Sequence, residues 1–269
     1  MTNPLFPFTG GNAAGAQRLA PGLARPSRPQ GPEYWRRYWL DKENGGHRSQ
    51  EEDFLALEAQ EKAFHFGEPT GALLDVGCGS ADLFAYHAQL FPTAIGVDFS
   101  PAMLAKARAR LADFRVGHGV LLEANAEEVW GRLGSQRFQV IATTGVAQFF
   151  TPEAILKFTG KAAGQLEPGG RIFFFDVMDP LLFFLYNCDY FSVSRHRGLV
   201  RWGRKIALGG VELFRNLIGR LRGRPGGRYG YCHPMALFRD VASGLGLQVS
   251  FVRSMYYEYR YHVIFSAKG

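Results

Sequence analysis

Two glycines and an acidic residue are the first residues whose types and spacing suggest chemistry. In the stretch LLDVGCGSADL (73–83), an apolar run reaches Asp75 and then breaks at Gly77 and Gly79. Glycine lacks a side chain, so a ligand can lie against the backbone there, and a helix that begins near Ala81 would point its N-terminal amide groups at that ligand. The stretch therefore predicts the first strand, turn and helix of a nucleotide-type binding fold.

A second acidic residue narrows the class of ligand. Asp98 lies 23 residues after Asp75, at the end of another apolar run, and Ser100 and Pro101 behind it are typical of a helix start. The spacing suits a carboxylate at the tip of the second parallel strand, where it can accept hydrogen bonds from a ribose. The dinucleotide fingerprint GxGxxG requires glycine where Asp82 stands, and an aspartate is a poor neighbour for a pyrophosphate. We expect a ligand that has ribose hydroxyls and no phosphates.

Over residues 73–177 the chain resembles the class I S-adenosylmethionine-dependent methyltransferases. Their first motif, an acidic residue followed by GxGxG, reads DVGCGSA here, with Ala81 in place of the third glycine. The resemblance implies that S-adenosylmethionine is the cofactor, that the turn binds its methionine part, and that Asp98 holds the ribose hydroxyls. It also implies that Phe99 or Met103 flanks the adenine. The motif residues at the turn are Asp75, Gly77, Cys78 and Gly79.

Later segments resemble further motifs of the class, in the expected order. LLEANAEEV resembles the third motif, which implies that Asn125 and Ala126 lie near the adenine amine, although aspartate is common where Asn125 stands. FQVIATTGVAQFF resembles the fourth strand and its exit loop, which implies that Thr144 lies near the cofactor; Gln139 replaces the usual acidic residue. QLEPGGRIFFFDV (165–177) resembles the fifth strand and the loop before it. The order of the motifs makes the resemblance specific.

The elements that position these residues fit an α/β fold. We predict a Rossmann-like, seven-stranded, mostly parallel sheet with helices on both faces, an antiparallel terminal strand and an inserted helical cap. The chain then divides into a flexible tail (1–32), a methyltransferase core (33–179), a basic helical insertion (180–231) and the end of the core (232–269). The tail is rich in proline and glycine and has no acidic residue, so it has little to offset the entropy of ordering.

The segment before the first strand contains a candidate lid. In many members of the resembled class this segment folds over the cofactor, and aromatic faces suit a sulfonium cation. The aromatic residues in question are Tyr34, Trp35 and Tyr38. Plain packing is the more common explanation of such a cluster, and the helical spacing of Leu55 and Ala59 farther on predicts a helix packed on the core.

The insertion carries most of the positive charge. Between Arg195 and Arg228 there are nine arginines and Lys205 against Glu212 alone, whereas the whole chain has a net charge of +7. Such a segment predicts an anionic partner: a phosphorylated lipid or sugar carrier, a membrane surface, or nucleic acid. Apolar residues accompany the arginines at helical spacing, which favours peripheral contact with an anionic membrane over nucleic acid.

Cysteine usage and the N-terminal sequence bear on localisation. The three cysteines are widely spaced and odd in number, which argues against a disulfide framework, and their spacing matches no zinc site. No secretory signal is evident at the start of the sequence. We therefore expect a cytoplasmic protein without a metal site, at the inner face of the membrane if the insertion binds lipid.

Methyl transfer needs in-line placement of the acceptor and a group that takes the acceptor's proton. His233, in the run GYCHPM, is the first candidate for a general base acting on a hydroxyl acceptor, with Tyr231 and Asp176 as further catalytic candidates. His233 could equally be a helix-entry residue before Pro234, and an amine or carbon acceptor needs no base. His262 alternates with apolar neighbours in a predicted strand, which is typical of packing.

These patterns favour a methyltransferase that acts on a small-molecule, sugar-like or lipid-linked acceptor. Two alternatives stay open. One is an RNA methyltransferase, for which the basic insertion would supply a groove. The other is a cofactor-binding pseudoenzyme with a regulatory or scaffold role, since Ala81, Asn125 and Gln139 depart from the choices common in the resembled class.

Overall fold

The fold is described from a computed structural model of the chain. It describes residues 51–187 and 230–267, together with five separate helical positions between 207 and 218. The predicted tail, the predicted lid residues Tyr34, Trp35 and Tyr38, and most of the predicted insertion lie outside the described residues.

The described part alternates strands and helices, as the sequence predicts. The helices are α1 (Glu52–Ala63), α2 (Phe84–Ala88), α3 (Pro101–Asp113), α4 (Val129–Leu133), α5 (Pro152–Gly164), α6 (Pro180–Asn187) and α7 (Met235–Leu245). The strands are β1 (Ala72–Val76), β2 (Thr93–Asp98), β3 (Gly119–Glu123), β4 (Phe138–Thr144), β5 (Leu166–Met178), β6 (Leu247–Arg253) and β7 (Arg260–Ala267). A short 3₁₀ turn, Ala147–Phe149, follows β4.

The seven strands form one sheet in the order β3-β2-β1-β4-β5-β7-β6. Strands β1 to β5 pair in parallel, while β7 pairs antiparallel with both β5 and β6. Parallel pairs require crossover helices, and these pack on the two faces of the sheet. The predicted Rossmann-like sheet with its antiparallel terminal strand is therefore confirmed.

Alternate residues of β5 divide between two apolar cores. Phe174 packs with helices α5 and α7 on one face, whereas Phe173 and Phe175 pack with α2 and α3 on the other. Residues of β1 and β4 alternate in the same way, which explains why these strands read as continuous apolar runs. Packing in the two cores fixes the positions of the carboxyl ends of β1, β2, β4 and β5. Ligands bind at this edge in sheets of this kind.

A local sequence signal sets the start of α3 but not the start of α2. Ser100 caps α3 by accepting a hydrogen bond from the Met103 amide, and Pro101 occupies its first turn, as predicted. Helix α2, however, begins at Phe84 and not near Ala81. Ala81 is fully buried and has a φ of +63°, a left-handed conformation that no helix continues, so the turn extends to Leu83.

Across residues 51–187 and 230–267, no helix is long and apolar enough to cross a membrane.

Candidate functional site

The glycine turn after β1 is tied to the end of β2 by backbone and side-chain hydrogen bonds. The amides of Gly77 and Cys78 both donate to the Val97 carbonyl, at 2.7 and 2.9 Å. The Asp98 carboxylate accepts the Gly79 amide through Oδ2 at 3.0 Å and the Ser100 amide through Oδ1 at 2.9 Å. The two features that the sequence singles out are thus in direct contact at the carboxyl edge of the sheet.

The two glycines of the turn are required for different reasons. Both have a positive φ, +83° at Gly77 and +56° at Gly79. A Cβ atom at Gly77 would lie 2.5 Å from Cγ2 of Val146 in the loop after β4, so this position is closed by packing. A Cβ atom at Gly79 would meet no atom within 4 Å. The turn therefore packs against protein at Gly77 and faces open space at Gly79.

Asp98 is largely withdrawn from solvent. Burial raises the pKa of this carboxyl above its ordinary value, although the amides of Ser100 and Gly79 act in the opposite direction. Cys78 is half-buried, and the partial removal of its thiol from solvent, together with the charges of Asp98 and Asp75, holds the pKa of the thiol well above the ordinary value. A thiol in this state stays protonated, so Cys78 contributes backbone and packing but no nucleophile.

The predicted adenine-side residues lie on the neighbouring loops. Phe99 is half-buried directly after β2, and Met103 is buried in the first turn of α3. Asn125, behind β3, accepts the amides of Glu127 and Glu128 through Oδ1, both at 2.9 Å. Its carbonyl oxygen is thus used to shape the loop, and its NH2 group is the part that can serve a ligand as a donor.

Two polar residues of β4 are separated by the length of the strand. Thr144 is half-buried at the carboxyl end, where it pairs in register with Phe175 of β5. Gln139 lies near the opposite end, where Oε1 accepts the amides of Thr70 and Gly71 at 2.8 Å and the NH2 group donates to the Glu68 carbonyl. The departure from the family pattern at Gln139 therefore serves the loop that leads into β1.

His233 and Tyr231 lie beside the loop after β4. The Tyr231 amide donates to the Gln148 carbonyl at 2.7 Å, and the two rings stack with centroids 5.6 Å apart. His233 is buried, and its Nε2 lies 3.0 Å from the Ala147 carbonyl. Since a carbonyl only accepts, Nε2 carries the proton and Nδ1 is the basic nitrogen of the neutral ring. Burial and the charge of Glu153 raise the Tyr231 pKa.

Asp176, the third predicted catalytic residue, belongs to a different environment. Its Oδ2 lies 3.4 Å from Nζ of Lys62, and both side chains are fully buried. Lys62 also contacts Glu58 at 3.0 Å and Glu61 at 3.6 Å, and Glu61 lies 3.3 Å from Nε2 of His262. We call these five residues the Lys62 cluster: Glu58, Glu61, Lys62, Asp176 and His262.

Three members of the Lys62 cluster, Glu58, Glu61 and Lys62, are absent from the residues that the sequence singles out, and the sequence pattern of the fourth, His262, indicates packing. A signal for two of them is present. Glu58 and Lys62 fall at helical spacing on the same face of α1 as Leu55 and Ala59, so the predicted packing face of this helix contains two charges. Charges on a buried face are rare unless they are paired, and the spacing of Glu58 and Lys62 predicts that these two side chains pair with each other.

With this geometry in view, residues 73–170 match the sequence model of a family described as "Methyltransferase domain". Residues 73–170 contain a methyltransferase domain. The match starts in β1, ends in β5 and includes the glycine turn, Asp98 and the loop after β4. The recognition made from the motifs is confirmed, and so is the enzyme class, an S-adenosylmethionine-dependent methyltransferase.

Solved structures similar to this methyltransferase fold include DhpI in complex with SAH, with a TM-score of 0.56, 14% identity, and coverage of 87% of this chain and 94% of that chain. Another is the magnesium protoporphyrin IX methyltransferase of Synechocystis, with a TM-score of 0.53, 14% identity, and coverage of 88% and 93%. An O-methyltransferase family protein from Burkholderia thailandensis has a TM-score of 0.51, 16% identity, and coverage of 81% of this chain but only 58% of that chain.

At these identities the similarity shows the fold alone. A search among curated protein sequences found no match. Which side chains of the methyltransferase domain contact the cofactor and the acceptor therefore stays a prediction.

Proposed function

We propose that this methyltransferase transfers the methyl group of S-adenosylmethionine to a small-molecule, sugar-like or lipid-linked acceptor. The observation that carries the proposal is the joint site made by Asp98 and the glycine turn. A buried carboxylate there holds the amides of Gly79 and Ser100, next to a glycine whose side-chain position is open. This arrangement suits a ligand that combines ribose hydroxyls with a group lying against the backbone.

The donor would be held by four loops at the carboxyl edge of the sheet. Gly77 to Gly79 would contact the methionine part, and Asp98 would accept the ribose hydroxyls. Phe99 or Met103 would flank the adenine, while Asn125 and Ala126 would lie at its edge. Because Oδ1 of Asn125 already accepts two amides, its NH2 group would donate to a ring nitrogen of the adenine and not accept from the amine. Thr144 would border the site from β4.

When bound, S-adenosylmethionine supplies a methyl group that is activated by its positively charged sulfur. The protein must then orient the acceptor and, for a hydroxyl acceptor, take its proton. His233 is the proposed base, since its Nε2–H is held by the Ala147 carbonyl and the ring orientation is thereby fixed. Tyr231, stacked on the same ring, would help to shape the pocket.

Two features support an acceptor of lipid or sugar type. Helix α6 opens the predicted insertion with the apolar sequence PLLFFLYN, and Leu181 and Tyr186 on it are 60% and 45% exposed. The sequence after α6 contains the nine arginines. They would attract a phosphorylated acceptor or the anionic inner face of the membrane. The aromatic residues Tyr34, Trp35 and Tyr38 remain the proposed lid over the donor.

The similar structures support a small acceptor in a limited way. Two of these proteins are named as methyltransferases of magnesium protoporphyrin IX and of mitomycin, and two others are named as O-methyltransferases. The shared fold makes a small acceptor a reasonable expectation for this chain, while function still depends on the residues of its own site.

A transfer assay with fractionated acceptors tests the proposal. The purified protein and methyl-tritiated S-adenosylmethionine are incubated with the small-molecule, lipid and RNA fractions of a cell extract, each fraction in a separate reaction. We expect label in the lipid or small-molecule fraction, reduced about 100-fold or more in His233→Gln if the acceptor is a hydroxyl. Label confined to RNA would favour the nucleic acid alternative. Cofactor binding without transfer to any fraction would favour the pseudoenzyme.

A further inference from the structure

The end of β5 contains a β-bulge opposite His262. Phe174 pairs with Val263 and Val177 pairs with Tyr261, so two residues of β5, Phe175 and Asp176, face His262 alone. Asp176 has a φ of +59°, a conformation that is uncommon for any residue other than glycine. Bulges of this kind re-aim a side chain and are frequent beside active sites.

The side chain of His262 compensates for the interrupted ladder. Its Nδ1 accepts the Asp176 amide at 3.1 Å, so a donor that the bulge removes from backbone pairing is satisfied by the ring. The same bond requires that Nε2 carries the proton, and Nε2 lies 3.3 Å from Oε1 of Glu61. His262 therefore joins β5 and β7 to helix α1.

The bulge decides which face of the sheet receives the Asp176 carboxylate. Phe174 packs on the α5 and α7 face and Phe175 on the opposite face, so regular alternation would return Asp176 to the α5 and α7 face. Instead, Asp176 lies on the side of α1, with Oδ2 3.4 Å from Nζ of Lys62. The ion pair exists because the extra residue resets the alternation.

Charged and titratable groups surround this ion pair from every packed element. Helix α1 contributes Glu58 and Glu61, and β7 contributes His262. The segment between β6 and β7 contributes the hydroxyl of Tyr257, 3.4 Å from Glu58. The His65 ring, after α1, lies with its centroid 6.4 Å from that of His262. Nζ of Lys62 lies within 3.6 Å of a carboxylate oxygen of each of Glu58, Glu61 and Asp176.

The residues directly after the bulge hold the acceptor-side elements. The Met178 carbonyl accepts the amide of His233 at 3.0 Å, which fixes the backbone of the proposed base. Asp179 donates its amide to the Tyr259 carbonyl at 3.0 Å, and its Oδ1 accepts the first two amides of α6 at 2.9 Å. The backbone positions of Met178 and Asp179 thus determine where His233 and α6 lie.

We propose that Lys62 and Asp176 are positioning residues for methyl transfer. The bulge opposite His262 turns the Asp176 side chain towards Lys62, and the buried ion pair then fixes the end of β5, which holds His233 and α6 in place. Asp176 then acts through its neighbours and does not touch the acceptor. The inference rests on the proposed function, because it assigns Met178 and Asp179 to the acceptor side of the site.

The variant Asp176→Asn distinguishes the effect of the ion pair from the effect of the bulge. Asparagine keeps the size of the side chain and tolerates a positive φ, so the backbone can stay as it is while the charge is lost. Lys62→Met is a second variant, which removes the other partner. Glu52→Gln is the matched control, because it removes a carboxylate from the same helix at an exposed position.

Three measurements on the full-length protein test the positioning role. They are the affinity for S-adenosylhomocysteine, the turnover with the extract fraction that becomes labelled in the transfer assay, and amide hydrogen exchange. In Asp176→Asn we expect affinity within about threefold of wild type and turnover lowered about 10- to 100-fold, since small displacements of a catalytic group are costly. The amides of Asp179 and His233 should exchange about tenfold faster, while those of Gly77 and Cys78 remain protected. A purely structural loss would lower donor affinity and turnover together.

The inference is overturned if Asp176→Asn keeps wild-type turnover, if exchange at Asp179 and His233 is unchanged, or if donor affinity falls as far as turnover. Failure of the proposed function looks different. A wild-type protein that labels none of the fractions contradicts that function, and the exchange of Asp179 and His233 in the variant still decides whether the ion pair holds these residues.

Discussion

The proposed donor side, which is Asp98 with the glycine turn, and the proposed acceptor side, which is His233, α6 and the end of β5, are built from different kinds of contact. On the donor side, the Asp98 carboxylate holds backbone amides that are 19 and 2 residues away along the chain. On the acceptor side, the ring of His262 holds the Asp176 amide and the ring of His233 reaches the Ala147 carbonyl, each across 86 residues. The hydrogen bonds of the proposed donor side thus join residues that are closer in the sequence than those joined on the proposed acceptor side.

The two sides also differ in what a substitution can break. The donor side relies on backbone geometry and on the absence of side chains at the glycines. The acceptor side relies on buried charges, whose loss leaves partners uncompensated in a medium of low dielectric constant. Substitutions on the acceptor side should therefore cost more folding stability, whereas some donor-side substitutions should remove binding from a protein that is still folded.

The largest effect is expected at Lys62. Lys62→Met keeps the volume and leaves the carboxylates of Glu58 and Asp176 buried without their cation, a change that costs about 3–5 kcal/mol. For a chain of this size that corresponds to a fall in Tm of about 10 °C or more. Differential scanning calorimetry measures it. A Tm within about 2 °C of wild type would mean that the cluster adds nothing to stability and would remove the contrast between the two sides.

A pair of glycine variants tests the donor side. Gly77→Ala forces a Cβ atom against Val146 and should cost about 2–4 kcal/mol, part of which Val146→Ala restores in the double variant. Gly79→Ala meets open space, so it should cost only about 1–2 kcal/mol of backbone strain.

The same pair should separate stability from binding. Gly79→Ala is expected to weaken S-adenosylhomocysteine binding about tenfold or more, because its methyl group enters the space assigned to the ligand. Thermal melts and titration calorimetry on the two variants give both quantities. Equal losses of stability at both positions, or undisturbed binding in Gly79→Ala, would contradict the division of roles within the turn.

A smaller, pH-dependent effect is expected at Glu61. Burial alone would raise its pKa, but hydrogen bonds from His262 and the Met255 amide and the charge of Lys62 outweigh it, so the pKa lies below the ordinary value of 4.5. A lowered pKa stabilises the fold at pH values above the ordinary value, and this stability is lost as the pH falls through the folded-state pKa.

The test compares wild type with Glu61→Gln between pH 7 and pH 3. The variant should lose about 2–4 °C of Tm at pH 7, and the difference should shrink as the pH falls below 4.5. A difference that stays constant with pH would show that Glu61 stabilises the fold without its charge.

The smallest effect is expected at Glu52, at the other end of α1. Its carboxylate accepts both hydrogen bonds from Nη2 of Arg110, at 2.9 and 3.0 Å, but the side chain is more than half exposed. Solvent screens such pairs, so Glu52→Gln should change the free energy of unfolding by no more than about 0.5 kcal/mol. Urea denaturation measures it. A loss comparable to that of Lys62→Met would show that burial does not account for the difference between the two ends of the helix.

The same contrast explains how far the sequence could be interpreted. The glycine turn, Asp98 and the Ser100 cap are short-range patterns whose physics is local, and the strand order follows from the motifs that they introduce. The cluster around Lys62 requires three elements that only the folded chain brings together. The bulge at Asp176 cannot be predicted from alternating polar and apolar residues in FFFDVM, because every residue around Asp176 is buried and no such alternation is present. The left-handed conformation of Ala81 cannot be predicted from the sequence either, because alanine is not typical of a turn.

The central claim, that Asp98 and the glycine turn form the donor site, is tested most directly by isothermal titration with S-adenosylhomocysteine. Three proteins are compared: wild type, Asp98→Asn, and Glu123→Gln, which changes the same charge at the residue paired with Asp98 on β3. We predict one bound ligand for wild type, affinity about 10- to 100-fold weaker for Asp98→Asn, and affinity within about threefold of wild type for Glu123→Gln. No binding to wild type, or equal binding to wild type and Asp98→Asn, would contradict the account.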